Sequence, residues 1–208
     1  MRLVVSAPEF AGRWRQGDSI AVNGVCLTGI PLEIEGQPDP TRFAADLAAE
    51  TVSRTTLSAL RAGSVVNLEL PTPAGAPLGG HVVQGHVDGT GQLVSLVPLG
   101  PDPVSTDWRM TLSLPARLAN GVIPQGSITV DGISLTVAAV HPTDAAGHTM
   151  IEIAVIPHTY RSTHLRSLAA GATVNIETDV LSKYARQWKD QEPEGEWLTG
   201  PYLMANGY

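Results

Sequence analysis

A single cysteine, Cys26, stands in 208 residues. That excludes a disulfide framework and any cysteine-based zinc site, and it fits a reducing compartment. Basic residues are outnumbered, 13 Lys and Arg against 20 Asp and Glu, for a net charge of −7. This balance argues against a protein whose affinity rests on neutralising nucleic-acid phosphates. Aromatic residues make only 5% of the chain, too few for the stacking platforms of an oligonucleotide- or sugar-binding barrel. No apolar run reaches the roughly 18 residues that a membrane span needs. The apolar stretch within Met1–Pro8 is too short for a signal peptide. The expectation is a soluble, cytoplasmic protein with no nucleic-acid or membrane partner. What the chain does have is punctuation, 21 Gly and 16 Pro, and so many turns imply a β-rich fold.

The chain also repeats itself. Ser19–Thr28 (SIAVNGVCLT) lies 108 positions before Ser127–Thr136 (SITVDGISLT), with six of ten positions identical. The same offset aligns Glu50–Glu69 with His158–Glu177 at nine of twenty positions, among them Asn67 with Asn175 and Glu69 with Glu177. Solenoid repeats run about 20–50 residues, so a period this long means two tandem copies of a small domain.

Within each copy the apolar residues alternate. Arg42–Leu47 and Met150–Val155 place them at period two, and Val65–Leu70 and Thr173–Glu177 close each copy in the same way. Asn23-Gly24 and Asp131-Gly132 are tight-turn dipeptides, whose turn chemistry accounts for them without a site. Asn67 and Asn175 look like strand-end caps. Glu50–Leu60 and His158–Leu168 alternate less and suit short helical turns. Several short strands per copy point to an all-β chain of two tandem Greek-key β-barrels. Asp179–Lys189 carries Val180, Leu181, Tyr184 and Trp188 at helical spacing, which predicts a C-terminal α-helix with one apolar stripe. The boundaries read as a first barrel over 1–76, a second over 77–178, a helix over 179–190 and an acidic, then aromatic tail over 191–208.

The segment Leu78–Gly91 (LGGHVVQGHVDGTG), the paired Gly-x-Cys/Ser-Leu-Thr turns and Ile156-Pro157-His158-Thr159 together resemble the riboflavin synthases, enzymes built of paired lumazine-binding domains. The resemblance covers about residues 2–184 and rests on the joint set of motifs with the duplication. It implies a transferase that needs neither cofactor nor metal. Two molecules of 6,7-dimethyl-8-ribityllumazine dismutate: one gives a four-carbon unit to the other, yielding riboflavin and 5-amino-6-(D-ribitylamino)uracil. It further implies six-stranded barrels that each bind one lumazine, a homotrimer held by the C-terminal helix, and a productive site pairing the first barrel of one subunit with the second of its neighbour.

Carried over residue by residue, the resemblance places Ser19, Cys26 and His86 in catalytic roles. It places substrate contacts of the first barrel at Cys26, Leu27 and Thr28, and at Asp46, Leu47, Ala48, Ala49, Glu50 and Thr51. The linker supplies Gly85, His86 and Val87. The second barrel supplies Gln125, where the family commonly carries Lys, then Ser134, Leu135 and Thr136, and the run Ile156, Pro157, His158, Thr159, Tyr160 and Arg161, with Asp179 near its end. Cysteine is more often a small buried hydrophobe than a ligand group; a serine in the equivalent slot, 134, favours a ligand-proximal role for Cys26. His81 and His86, five apart on an expected strand, face opposite sides and so do not share a metal; His141, His148 and His164 read as surface or turn residues.

The repeat also implies a gap. The first copy's counterpart of Leu78–Asp107 falls before Met1, while Arg2–Ser6 aligns with Met110–Leu114. The family begins with a Met-Phe-Thr-Gly-Ile strand in that place. The expectation is a shortened chain or a start codon assigned too far downstream, with a first barrel open along one edge and weaker for lumazine. A competing class is a non-catalytic lumazine or flavin carrier of the antenna type. Polar groups kept in both copies, Cys26 with Ser134 and Thr28 with Thr136, favour the enzyme.

Overall fold

Period-two alternation becomes a closed wall in the second half of the chain. The computed structural model describes residues 1–34, 36–191 and 204–206, with side chains at 1–34, 36–188 and 204–206. The first half contains β1 (Arg2–Ser6), β2 (Ser19–Val22), β3 (Val25–Thr28), β4 (Ile30–Ile34), β5 (Gln37–Asp46), α1 (Ala49–Arg54) and β6 (Leu68–Glu69). The second contains β7 (Gly89–Pro98), β8 (Trp108–Pro115), α2 (Ala116–Ala119), β9 (Ser127–Val130), β10 (Ile133–Val140), β11 (His148–Val155), α3 (Pro157–Ser162) and β12 (Thr173–Thr178). A last helix, α4 (Val180–Gln191), follows.

Strands β10-β11-β8-β7-β12-β9 form a closed barrel in which every pairing is antiparallel. Trp108, Met110, Leu112 and Leu114 alternate inward along β8, facing Ile151 and Ile153 of β11. Each fully buried aliphatic of this kind contributes about 1.5–3 kcal/mol. The barrel therefore owns a core, and a separate cluster around Phe43, Ile20, Val22 and Leu57 fills the first unit, with Trp14 edge-on to Phe43 at 5.8 Å.

The first unit does not close. Its strands form two three-stranded sheets, β1-β5-β4 and β3-β2-β6. Among the described residues nothing occupies the place that β7 takes in the second unit, between β8 and β12. The strands equivalent to those two, β1 and β6, keep free edges, and β6 is only two residues long against six in β12. The strand expected over Val65–Leu70 is short for this reason: a ladder needs a partner to persist. The register of β1 also corrects the alignment. Leu3 opposes Ala45 as Met110 opposes Ile153, an offset of 107, because a slip of one residue would turn Leu3 and Val5 out of the core.

The two units meet turn against turn. Asn23 and Asp131 both sit at φ 45°, and Gly24 and Gly132 follow at φ 73° and 84°. A Cβ on Gly24 would lie 2.5 Å from the Gly132 nitrogen, so both glycines are required by close approach as well as by conformation. Asn67 and Asn175 are not simple strand caps. Each accepts a backbone N–H from, and donates its side-chain amide to, the opposite unit. His164, expected at the surface, is buried here with its Nε2 3.0 Å from the Asp131 carboxylate and its Nδ1 2.8 Å from the Asn67 amide nitrogen. An amide nitrogen only donates, so Nδ1 accepts and Nε2–H donates to Asp131.

Helix α4 sits on the second barrel through Ser182, whose hydroxyl donates to the Gly121 carbonyl at 3.0 Å, and Lys183, 2.8 Å from Asp88. Leu181, Tyr184 and Trp188 are 71%, 63% and 77% exposed, so the apolar stripe faces away from the barrel. The tail at 192–203 and 207–208 lies outside the described residues. Among the described residues no helix is long and apolar enough to cross a membrane.

Candidate active site

Alternation decides what each hairpin shows to the outside. In β3, Val25 and Leu27 turn into the core while Cys26 and Thr28 turn out; in β10, Leu135 turns in while Ser134 and Thr136 turn out. Leu27 and Leu135 thus serve their own cores, and Cys26 and Ser134 occupy equivalent outward positions. Cys26 is exposed.

The linker after β6 runs between these two positions and is pinned at both. The buried Glu177 carboxylate accepts the Gln84 N–H at 2.8 Å and the Gly85 N–H at 3.0 Å. Gly85 then accepts the Cys26 N–H on its carbonyl at 2.9 Å. A Cβ at Gly85 would lie 2.7 Å from the Cys26 Cβ, so only glycine lets the linker lie against β3. Further back, His81 reaches the second unit: its Nδ1 is 2.8 Å from the Ser134 hydroxyl and its Nε2 3.1 Å from the Thr129 hydroxyl. Both partners are hydroxyls, which donate or accept. The imidazole can therefore accept a hydrogen bond from one hydroxyl while donating to the other.

These groups line one cavity of about 890 Å³, bounded by Ser19, Cys26 and Glu69 of the first unit, the linker from Leu78 to Gly85, and Ser134, His158 and Thr159 of the second. That volume falls in the range of small-ligand sites, about 300–1,000 Å³. Partial desolvation at the cavity rim raises the carboxyl of the exposed Glu69 from its ordinary value, and among the described residues it has no hydrogen-bond partner.

The structure brings Ser19, Cys26, Gly85, Ser134, His158 and Thr159 to this cavity and leaves other expected residues beside it. Asp46 ends β5 within 3.7 Å of Arg2, Leu47 is buried in the first core, Ala48 caps α1, and Ala49, Glu50 and Thr51 form its first turn. His86 is exposed, Val87 packs on the first core, and Thr28 and Thr136 face outward beyond the cavity lining. Gln125 occupies a turn at φ 64°, its N–H on the Val137 carbonyl. Ile156 caps α3, Pro157 starts it, Tyr160 stacks on Trp108 at 3.8 Å, and Arg161 donates to the Val104 carbonyl. His81 and Glu69 were missed. The strand-like spacing around His81 does not predict this placement, because 81–88 is irregular; the one sequence signal for Glu69 is its match to Glu177.

The lumazine binding domain family model matches residues 2–71 and 84–179. The riboflavin synthase of Mycobacterium tuberculosis (strain ATCC 25618 / H37Rv) is 44% identical over 187 residues, covering 89% of this chain and 86% of the relative. That of Bacillus subtilis (strain 168) is 35% identical over 211 aligned positions, covering 100% and 90%. Among solved structures, LumP complexed with 6,7-dimethyl-8-(1'-D-ribityl) lumazine superposes with a TM-score of 0.67 at 20% identity, over 85% of this chain and 86% of that one. At that identity the likeness concerns the fold.

Proposed function

The chain belongs to the riboflavin synthase family of paired lumazine-binding domains, and from that premise we propose that it converts two molecules of 6,7-dimethyl-8-ribityllumazine into riboflavin and 5-amino-6-(D-ribitylamino)uracil. The observation that carries this reading is the matched pair Cys26 and Ser134, equivalent in the repeat and facing one cavity. A reaction that consumes two identical substrates asks for two equivalent, outward-facing polar positions, and the duplication supplies them.

The chemistry needs one ring to gain a nucleophile at C7 and the other to lose a proton from its C7 methyl group. That proton is acidic because the anion delocalises into the pteridine carbonyls. In this reading the Ser134 hydroxyl, hydrogen-bonded to His81, takes part in moving the methyl proton. Cys26 and Ser19 hold or activate the nucleophile that adds to the donor ring. His158 and Thr159 aim donors at charge building on the ring oxygens. Holding two rings face to face is worth roughly 7–11 kcal/mol of barrier, and preorganised donors around the developing anion about 3–4 more. No step draws on a metal or a cofactor.

The linker packs on both positions, Gly85 against Cys26 and Gly80 against Ser134, and in this reading each unit holds one ring. We therefore place the productive pair between the first unit of one subunit and the second unit of its neighbour, in a cytoplasmic homotrimer joined through the exposed Leu181, Tyr184 and Trp188 stripe of α4. The test is direct: purified protein is incubated with the lumazine and riboflavin absorbance followed. Riboflavin and the uracil product in equal amounts support the reading. Stoichiometric lumazine binding without turnover overturns it in favour of a carrier.

A further inference from the structure

We infer that Tyr160 and Arg161 are positioning residues, which clamp α3 to the loop 99–107 between β7 and β8 and so fix where His158 and Thr159 point in the cavity. The inference rests on the proposed reaction for its kinetic consequence, and it gives Tyr160 and Arg161 no contact with substrate.

The loop organises itself first. The Leu99 N–H donates to the Asp107 carbonyl at 2.8 Å, which closes its base. The Asp102 carboxylate accepts the Val104 N–H at 3.0 Å and the Ser105 hydroxyl at 2.6 Å, and the Asp102 carbonyl accepts the Thr106 N–H at 3.1 Å. The Ser105 hydroxyl and then the Val104 amide hold the Asp102 carboxyl below its ordinary value. An aspartate that bonds backbone two residues on fixes a turn from within.

So folded, the loop presents two successive carbonyls. That of Pro103 accepts the Trp108 indole N–H at 3.3 Å, and that of Val104 accepts the Arg161 guanidinium. Tyr160 lies flat on the Trp108 indole, with ring centres 3.8 Å apart and planes 14° from parallel. Trp108 is buried in the core of the second barrel, so the stack has a rigid base. Helix α3 has only six residues, too few to hold a position by helical bonding alone. Its tie to the barrel runs through these two side chains, and His158 and Thr159, in the same short helix, line the cavity.

The first unit lacks this clamp. At the repeat offset, Val52 and Ser53 stand for Tyr160 and Arg161, with neither ring nor cation. Ser53 turns its hydroxyl back onto the Glu50 carbonyl at 2.9 Å, within α1. The clamp therefore belongs to the unit whose His158 and Thr159 aim donors at developing charge in the proposed reaction, where donors act only if they are held in place beforehand.

Kinetics and histidine resonances of the full chain test the clamp together. Tyr160→Ala and Asp102→Ala should each lower kcat about 10–100-fold, the scale of a misplaced group. KM should change less, because donors that act on the transition state show in kcat. Tyr160→Phe keeps the ring and should recover the activity, whereas a substrate contact through the phenol would not survive that change. The double variant Asp102→Ala with Tyr160→Ala should lose no more than the worse single one, since both act on one clamp. In protein labelled with carbon-13 histidine, the His158 resonance, assigned by its loss in His158→Gln, should move in Tyr160→Ala and Asp102→Ala and stay in Tyr160→Phe. An unmoved resonance of the buried His164 reports an intact fold. Should Tyr160→Ala unfold, Asp102→Ala, on the exposed loop, decides alone. The inference is overturned if the His158 resonance stays fixed while the fold is intact, if Tyr160→Phe loses as much as Tyr160→Ala, or if the two losses multiply. A parent chain that makes no riboflavin would sink the proposed reaction instead, and the His158 resonance would still decide the clamp.

Discussion

Asn67 and Asn175, 108 positions apart, reach across the joint in opposite senses: the Asn67 side-chain amide donates to the Asp131 carbonyl at 2.9 Å and the Asn175 amide to the Asn23 carbonyl at 2.8 Å. Each also accepts one backbone N–H from the other unit, His164 on Asn67 and Thr56 on Asn175. Replacing Asn175 with Ala leaves a buried donor and a buried acceptor unpaired, and should cost about 2–4 kcal/mol in urea unfolding. Asn67→Ala, at a half-buried position where water replaces part of the lost bonding, should cost less. Equal losses would show that burial does not set the cost here.

Activity should require both outward positions. Cys26→Ala with Ser19→Ala, and separately Ser134→Ala with His81→Ala, should each lower kcat by about 10²–10³, the scale of removing aimed polar groups from a site. Mixed trimers of the two variants should recover part of the activity. Verified heterotrimers without recovery would place the whole reaction within one chain.

Charge on the α4 stripe should separate subunits without unfolding them. Tyr184→Lys with Trp188→Asp would put two charged groups into the apolar seam of the proposed trimer, where unpaired charge is costly. Light scattering should fall to the monomer mass while the far-ultraviolet spectrum keeps its β signature. An unchanged mass would assign the stripe another role.

Two carboxylates should act on stability with opposite signs. Hydrogen bonds from the Thr41 hydroxyl, then from Arg42 and the Thr41 amide, hold Asp39 down to about 2 from 3.8. The stability it adds is present above pH 3.8 and lost as pH falls toward 2. Asp39→Ala should therefore lower Tm at neutral pH and converge with the parent chain near pH 2. Desolvation raises Glu69 above 4.5, so its ionised form weighs against folding as pH rises through the raised value. Glu69→Gln should raise Tm at pH 7, with the gain shrinking as pH falls toward 4.5. The two melting-temperature differences, measured across pH 2–8, check both signs.

Much of this was legible in the chain. The repeat gave two units and matched Cys26 to Ser134, whose serine marked the slot as ligand-proximal, and the helical stripe gave α4. What escaped reading depends on contacts between residues far apart in sequence. His164 sits on a short polar turn that looks like surface, and only the packing of one unit on the other buries it against Asp131. His81 stands in a glycine-rich run with strand-like apolar spacing, but the linker is held by Glu177 and Cys26 rather than by a ladder, so period two told nothing about where the imidazole points. The register of β1 was off by one because Arg2–Ser6 is short, and only its pairing with Phe43 and Ala45 decides which face is inward.

The back-to-back turns carry a consequence for origin. A surface that meets its own equivalent is self-complementary, the property of an isologous dimer contact. One copy of such a unit, with an Asn-Gly turn and an asparagine of the Asn67 kind, would pair with a second copy by these same bonds. Fusion fixes the two copies at high effective concentration, which frees the matched halves to diverge. Divergence shows at His164, which hydrogen-bonds Asp131, while the residue 108 positions earlier, Thr56, has a buried hydroxyl with no partner among the described residues. The joint thus has the self-complementarity of a homodimer interface within one chain, with a histidine–carboxylate hydrogen bond on one half and an orphan hydroxyl on the other.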